Sequence, residues 1–158
     1  MLYCKKLGEN AILPSVSHAG EDLGYDIYSA ETKTLISGIV TKIKTEISAR
    51  FIDDTIRYER LGGNSQRIEE TFGLLLRDRS SMAAKGITVS AGVIDAGYTG
   101  EIIVLLTLNT PDSEFEIKQG DKIAQMIPMK VLTKCGVQEV TNLLTSQRGE
   151  KGFGSSGI

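Results

Sequence analysis

Short runs of alternating apolar and polar residues follow one another along most of the chain. Alternation places side chains on opposite faces of a strand, so each run predicts a half-solvated β-strand. Ile39, Ile43 and Ile47, for example, fall on one face of their run, and Lys42 and Lys44 fall on the other. The predicted strands are Leu2–Leu7, Tyr25–Tyr28, Leu35–Ile47, Thr71–Leu76, Ile87–Val89, Ile102–Leu108, Phe115–Ile117 and Ile123–Leu132. Because no long amphipathic helix accompanies them, the sequence predicts an all-β fold, a distorted jelly-roll-like barrel.

Two segments depart from this pattern. Residues 53–70 are polar, contain Gly62-Gly63-Asn64 and show no clear period, so we expect an extra hairpin or flap there. Residues 147–158 are rich in glycine and serine and cannot pack as a fixed element alone. The sequence therefore predicts one barrel domain over residues 1–146, followed by a flexible tail.

Composition and charge restrict the function. The 158 residues carry a net charge of −2, so there is no basic field for nucleic acid. Cys4, Cys135 and the single His18 lack metal-site spacing, and both thiols are expected to be reduced. There is neither a signal-peptide pattern nor an apolar run long enough to span a membrane, which predicts a cytoplasmic location.

The segment Gly92–Gly100 connects two apolar runs and is the main candidate for a functional segment; it is called the central segment below. Its glycines permit a tight turn and positive φ. Asp95 and Tyr98 lie three residues apart within it. Such a turn could bind a flat polar ligand through its backbone, with the ring packed on the ligand and the carboxylate at the mouth. An ordinary Asp-Ala-Gly turn between strands explains the same residues.

The tail carries Gly152–Gly157, which matches the pattern G-x-G-x-x-G. A dinucleotide site needs a strand before the glycines and a helix after them, and this segment offers neither. Arg148, Ser155 and Ser156, together with glycine amides, are nevertheless suited to a phosphate. A disordered C-terminus is the alternative.

Three more polar clusters suggest chemistry. Arg79-Ser80-Ser81 precedes small residues, which favours either a phosphate-binding turn or an N-capped surface turn. The acidic segment Gly20–Tyr28, which includes Asp26, offers oxygen ligands of the kind that Mg²⁺ prefers, although such turns are commonly only solvated. Gln125 lies within an apolar strand, where its amide needs a partner.

Taken in order, these clusters resemble the five motifs of the trimeric-type dUTPases, the deoxyuridine triphosphate nucleotidohydrolases. The matching segments are Gly24–Ala30, Arg79–Gly86, Gly92–Gly100, Gly120–Met126 and Arg148–Gly157. The resemblance covers the chain from Leu2 onward except residues 53–70. It implies hydrolysis of dUTP to dUMP and pyrophosphate, which limits uracil in DNA and supplies dUMP for dTMP synthesis.

The resemblance also implies roles for the residues of the central turn. Asp95 would deprotonate the water that attacks the α-phosphorus. Tyr98 would pack against the deoxyribose and exclude a 2′-hydroxyl. The backbone that begins at Gly92 and includes Ile94 would bind the edge of uracil and reject cytosine and thymine.

The remaining motifs are implied to bind the phosphates. Ser80 and Ser81 would contact the phosphate chain with support from Arg79, and Asp26 and Gln125 would orient waters on a Mg²⁺ ion. In the tail, Phe153 would stack over uracil while the other residues close on the phosphates. Those tail residues are Arg148, Gly154, Ser155 and Ser156. The resemblance further implies a homotrimer with sites shared between subunits. The net charge and the short apolar runs predict no direct binding of nucleic acid or membrane.

Several positions depart from the family pattern. Asp78 stands where proline is usual, Ser81 where glycine is common and Thr99 where arginine or glutamine is frequent; Ser156 replaces threonine. Two alternatives remain: a dCTP deaminase of the same fold, and a non-catalytic regulator that senses nucleotides. The deaminases use a glutamate in the strand after the central turn, whereas Ile102–Leu108 has no carboxylate and Glu101 lies too near the turn.

Overall fold

The computed structural model describes residues 1–53, 70–133 and 136–142, and the backbone of residues 57–61 and 64–68. Its strands are β1 (Leu2–Lys6), β2 (Tyr25–Tyr28), β3 (Lys33–Ile36), β4 (Val40–Ile43), β5 (Ile47–Phe51), β6 (Arg57–Leu61), β7 (Asn64–Ile68), β8 (Phe72–Arg77), β9 (Ile87–Val89), β10 (Val93–Ile94), β11 (Val104–Leu108), β12 (Glu114–Ile117) and β13 (Lys122–Lys130). A single helical turn, α1 (Ser80–Ala83), separates β8 from β9.

Antiparallel pairs build the whole strand framework. A four-stranded sheet has the order β10-β8-β13-β2, and a three-stranded sheet has the order β4-β11-β9. Two-stranded pairs β1-β5, β12-β3 and β6-β7 complete the described sheets. The predicted all-β, jelly-roll-like fold is therefore confirmed.

The core lies between these sheets and is aliphatic. Strand β11 shows how it forms, because Val104, Leu106 and Leu108 are buried while the residues between them are partly exposed. Sites without any exposed surface include Ile27, Leu35, Ile43, Ile47, Ile102, Ile117, Ile123 and Met126. The whole buried cluster includes side chains from nine of the strands, so one continuous core supports both larger sheets.

The prediction of one strand over Leu35–Ile47 is wrong. This segment forms β3, β4 and the first residue of β5, because the backbone reverses at Gly38 with φ 75° and at Glu46 with φ 53°. A residue distant in sequence stabilises the second break, because the Glu46 amide donates to Glu101 Oε1 at 2.9 Å. Ile43 and Ile47 are buried as expected, whereas Ile39 is 53% exposed.

Strands β6 and β7 occupy the polar segment that the alternation left unassigned. Their backbones pair antiparallel from Arg57 opposite Ile68 to Leu61 opposite Asn64, which is the arrangement of a hairpin. Across the part of the chain that the structure describes, no helix has the length and apolar character needed to cross a membrane.

The central segment leaves one sheet and joins the other. Strands β9 and β11 pair with Val89 opposite Leu106, and the residues between them extend to β8, where Ile94 lies opposite Leu74. The expectation of positive φ at the glycines is wrong for Gly92, Gly97 and Gly100, since Ala91 adopts it instead, with φ 64°. The segment is thus anchored to both sheets, which holds Asp95 and Tyr98 in a defined place.

Candidate active site

A polar pocket of about 290 Å³ lies where β2, β8 and β13 meet the first turn of α1. Three predicted motifs contribute to it, and it contains Asp26, Arg79, Ser80 and Gln125. The other residues that line it are Ser17, His18, Asp22, Leu23 and Gly24. The structure therefore places these four of the residues that the sequence assigned to phosphate and metal in one pocket.

Asp26 is the electrostatic centre of the polar pocket. Its Oδ1 accepts a hydrogen bond from Arg79 Nε at 2.7 Å, and its Oδ2 accepts one from Lys122 Nζ at 2.8 Å. The Asp26 side chain is only 17% exposed, so these contacts fix it firmly. The hydrogen bond from Lys122 and the nearby Asp26 charge raise the pKa of the Lys122 ammonium.

Gln125 and Asp78 connect the polar pocket to the neighbouring strands. Gln125 Nε2 donates to the Asp78 carbonyl at 2.7 Å, which supplies the partner that a half-buried amide needs. The Asp78 carboxylate accepts from the Val89 amide at 2.6 Å. Asp78, which departs from the family pattern, therefore joins the pocket to β9. A Cβ at Gly24 would lie 3.1 Å from Gln125 Oε1, so a glycine lets the two segments approach closely.

Arg79 also orients the hydroxyl side of the polar pocket. Its Nη1 donates to Ser81 Oγ at 3.3 Å and to the Lys122 carbonyl at 3.4 Å. Ser80 and Ser81 are exposed, whereas Met82 points inward and is 6% exposed. The buried methionine therefore anchors the turn, and its two hydroxyls stay available at the surface.

The hairpin pocket, about 370 Å³ in volume, is a separate feature. It holds Ile94, Asp95 and Tyr98, together with Val93, Lys42, Glu101, Ile103 and Leu105. Its walls are mainly apolar, and Val93 is 77% exposed. None of the residues lining this pocket lines the polar pocket, so the predicted site is divided between two places on the described chain.

Local hydrogen bonds set the geometry of the hairpin pocket. The Tyr98 amide donates to the Asp95 carbonyl at 3.0 Å and closes the turn between them. Tyr98 Oη donates to the Glu101 carbonyl at 3.0 Å, which holds the ring against the hairpin. The Asp95 carboxylate is exposed at the mouth of the pocket, where it can accept a hydrogen bond from water or a ligand.

Gly92 fits the hairpin tightly against β8. Its carbonyl accepts from the Leu76 amide at 2.7 Å, and a Cβ at this position would lie 2.5 Å from the Leu76 carbonyl oxygen. A larger residue would displace the backbone, because real Cβ atoms do not approach that closely. Gly92 thus sets how closely the following backbone, including Ile94, lies against β8.

Some predicted residues lie outside the described part of the chain. These are Arg148, Phe153, Gly154, Ser155 and Ser156, and their roles stay predictions. Other pocket residues were not predicted. Lys122, which binds Asp26 beside the polar pocket, lies within the motif Gly120–Met126, so that motif could have indicated it. Lys42, in contrast, reaches the hairpin pocket through the β4–β11 pairing.

Comparison with known proteins identifies the family of the chain. The family model described as dUTPase matches residues 67–157. The chain is 38% identical to the deoxyuridine 5′-triphosphate nucleotidohydrolase of Clostridium tetani, over 99% of this chain and 96% of that protein. It is 39% identical to the enzyme of the same name from Oryza sativa subsp. japonica, over 100% of this chain and 81% of that protein.

Solved structures show the same similarity. A dUTPase mutant of Staphylococcus bacteriophage 80alpha, solved with dUpNHpp, superposes with a TM-score of 0.81 at 27% identity, covering 100% of this chain and 99% of that one. A mutant dUTPase of phage phi11 of S. aureus, described for its structural Mg(II) ion, gives 0.71 at 26% identity over 92% and 99%. With sequence, fold and motifs in agreement, the chain belongs to the dUTPase family.

Proposed function

We propose that the chain hydrolyses dUTP by attack of an Asp95-activated water on the α-phosphorus. As a member of its family the chain is a dUTP diphosphatase. One observation carries the proposed mechanism: a mainly apolar pocket with a carboxylate at its mouth accompanies a polar pocket that suits a phosphate chain. Nucleoside and triphosphate need these two environments.

Asp95 is the general base in this proposal. Its carboxylate takes a proton from a water, and the water oxygen bonds to the α-phosphorus. The bond from the α-phosphorus to the bridging oxygen breaks, so dUMP and pyrophosphate leave. Asp95 suits the role because it is exposed at a pocket and close to Tyr98 in the same turn.

The hairpin supplies selectivity for the nucleoside. Tyr98 is fixed by its bond to the Glu101 carbonyl, so a ring at this place can pack on a deoxyribose and leave no room for a 2′-hydroxyl. The backbone from Gly92 through Ile94 can bind uracil through fixed donors and acceptors. A base with the opposite pattern leaves those groups unpaired, which is costly.

The polar pocket binds the phosphates. Ser80 and Ser81 offer hydroxyls, and the guanidinium of Arg79 is held beside them by Asp26. Preorganised donors of this kind stabilise charge on a leaving pyrophosphate without rearrangement. Arg148, Gly154, Ser155 and Ser156 add to the phosphate contacts, and Phe153 covers the uracil.

Mg²⁺ fits the polar pocket through water. Both oxygens of Asp26 already accept from cations, but each keeps a lone pair for a water molecule. Among the described residues no group of three or more His, Cys, Asp or Glu side chains could hold a metal directly. Asp26 and Gln125 would therefore orient waters on an ion bound mainly by the triphosphate, and that ion would supply charge neutralisation.

The divided site leads to a homotrimer with shared sites. Arg79 and Asp95 line different pockets of one chain, so one subunit's polar pocket facing a neighbour's hairpin pocket makes a complete site. The experiment mixes two inactive variants, Asp95→Asn and Arg79→Ala, by joint refolding. When the two variants are mixed in equal amounts, about a quarter of the sites in random trimers combine an intact polar pocket with an intact hairpin pocket.

Recovered activity near that fraction supports the shared site. If mixed trimers are verified by mass yet remain as inactive as either parent, each site lies within one chain. The same mixing, with Asp95→Asn against a chain ending at Gln147, tests whether the tail acts on a neighbouring subunit.

A substrate comparison tests the reaction itself. We expect pyrophosphate from dUTP, with dCTP and dTTP at least about 100-fold slower. Ammonia from dCTP would instead indicate a deaminase, and turnover of none of the three would indicate a regulator. The dUTPase reaction limits uracil incorporation into DNA and provides dUMP for dTMP synthesis.

A further inference from the structure

We propose that His18 binds the terminal phosphates of dUTP through its imidazole. The inference rests on the proposed function, which places the triphosphate in the polar pocket. His18 lines that pocket beside Arg79 and Ser80 and is the single histidine of the chain. It lies before the first family motif, and the proposed mechanism does not use it.

The backbone holds His18 at the rim of the polar pocket. Its amide donates to Asp22 Oδ2 at 2.8 Å, and its carbonyl accepts from the Asp22 amide at 2.9 Å. The Ser17 amide donates to the same Asp22 oxygen at 3.0 Å. These bonds, led by the one from His18, lower the pKa of Asp22. The Asp22 carboxylate is thus charged and held in place, and the backbone that carries the His18 ring has a defined position.

The ring itself is oriented by the same carboxylate. His18 Nδ1 lies 3.4 Å from Asp22 Oδ1. Because an ionised carboxylate can only accept, this contact places a proton on Nδ1. Nε2 is then the nitrogen left for a ligand, and the side chain is 70% exposed. A second proton on Nε2 would make the ring a charged donor, which is what a phosphate oxygen binds best.

Charged side chains of both signs lie in or next to the same pocket. Asp22, Asp26 and Arg79 face the same pocket, Glu21 adjoins Asp22, and Lys122 lies on the far side of Asp26. Arg79 and Lys122 are both committed to Asp26. Asp26 thus partly neutralises Arg79, and an imidazole that donates from Nε2 would add a contact for the end of the triphosphate.

One labelled residue is enough for the test. Untagged protein labelled with ¹⁵N-histidine has one set of ring resonances, because the chain has one histidine. We expect saturation with the imido analogue dUpNHpp to shift both ring nitrogens toward doubly protonated values. Saturation with dUMP, which lacks the terminal phosphates, should leave them unchanged. Ring resonances that stay unchanged with bound dUpNHpp would overturn the inference.

Binding to variants gives a second measurement. We expect His18→Ala to weaken dUpNHpp binding about 3- to 10-fold and to leave dUMP binding unchanged. Ser17→Ala is the matched control, because it alters the same pocket wall while keeping its amide bond to Asp22. Equal losses for dUpNHpp and dUMP would mean that His18 only supports the loop, which contradicts phosphate binding.

Arg79→Ala separates the two proposals. If it keeps full affinity for dUpNHpp, the triphosphate does not lie in the polar pocket, and the proposed phosphate site fails together with the role of His18. If Arg79→Ala loses affinity while His18→Ala does not, only the role of His18 is wrong. Circular dichroism of each variant establishes that the fold is retained before affinities are compared.

Discussion

The polar pocket and the hairpin pocket differ in how firmly their side chains are held. In the polar pocket, Asp26, Arg79 and Gln125 each form defined hydrogen bonds with side chains or backbone from another strand or turn. In the hairpin pocket, Val93 is 77% and Tyr98 46% exposed, and Asp95 stands at the mouth. The side chains of the polar pocket are held by the barrel strands, whereas the hairpin pocket leaves apolar surface exposed.

This difference indicates how each pocket would respond to a bound ligand. The polar pocket can accept charge without reorganising, because its donors are already fixed. The hairpin pocket gains from any surface that covers it, since burial of apolar area is favourable. Substitutions in the hairpin pocket should therefore change catalysis or selectivity with little effect on folding, whereas those that loosen the framework should change stability.

The largest effect is expected for Asp95→Asn. Removal of the proposed general base should lower kcat by ~10²–10⁴ while the affinity for dUpNHpp and the melting temperature stay close to those of the parent. The measurements are steady-state kinetics, analogue binding and thermal unfolding. Asp112→Asn is the control, because Asp112 is an exposed turn residue with φ 48° that asparagine adopts readily. Near-parental kcat in Asp95→Asn would show that another group is the base.

The next effect concerns sugar selectivity. Tyr98→Ala should reduce the preference for dUTP over UTP by ~10- to 100-fold, because the ring no longer fills the place of a 2′-hydroxyl. Tyr98→Phe is the matched variant: it keeps the ring and loses only the bond to the Glu101 carbonyl. The quantity to compare is the ratio of kcat/KM for the two nucleotides. An unchanged ratio in Tyr98→Ala would mean that the ring does not contact the sugar.

A smaller effect tests the anchoring of the hairpin to β8. Gly92→Ala should lower the free energy of unfolding by about 1–3 kcal/mol, because the added Cβ meets the Leu76 carbonyl oxygen. KM for dUTP should rise with it as the backbone shifts. Gly97→Ala provides the contrast, since nothing lies within 4 Å of its Cβ position. Denaturant unfolding of both variants decides the matter, and equal stability of the two would contradict the close approach.

Sequence predicted the strands best where alternation was uninterrupted. Tyr25–Tyr28 and Ile87–Val89 occur with the predicted bounds, because their apolar residues face one core. Leu35–Ile47 was wrongly joined because its breaks depend on contacts elsewhere. The backbone reverses at Glu46, whose amide donates to the side chain of Glu101, a residue distant in sequence. Local periodicity cannot indicate such a contact.

The candidate site shows the same limit. The motifs indicated which residues belong together chemically, and Asp26, Arg79, Ser80 and Gln125 do share a pocket. Motif order could not show that Asp95 and Tyr98 lie in a different one, because that depends on which sheet the central segment joins. His18 was missed as a pocket residue because it lies before the first motif, and the fold of its loop brings it into the polar pocket.

The smallest effect concerns Asp78, which joins the polar pocket to β9. Asp78→Ala removes the acceptor of the Val89 amide, a contact of 2.6 Å, and leaves that half-buried donor without its partner. We expect the free energy of unfolding to fall by about 1 kcal/mol. KM for dUTP should change less than about threefold, because the Asp78 carbonyl that holds Gln125 belongs to the backbone.

Two further variants sharpen this last prediction. Asp78→Asn keeps an oxygen that can accept from Val89 and should retain most of the parental stability. Asp78→Pro introduces the residue common in the family but has no such acceptor, so it should be no more stable than Asp78→Asn. Urea unfolding of the three variants measures the differences. If alanine and asparagine prove equally stable at this position, the carboxylate contributes nothing through Val89, and the polar pocket is held by its own ion pairs.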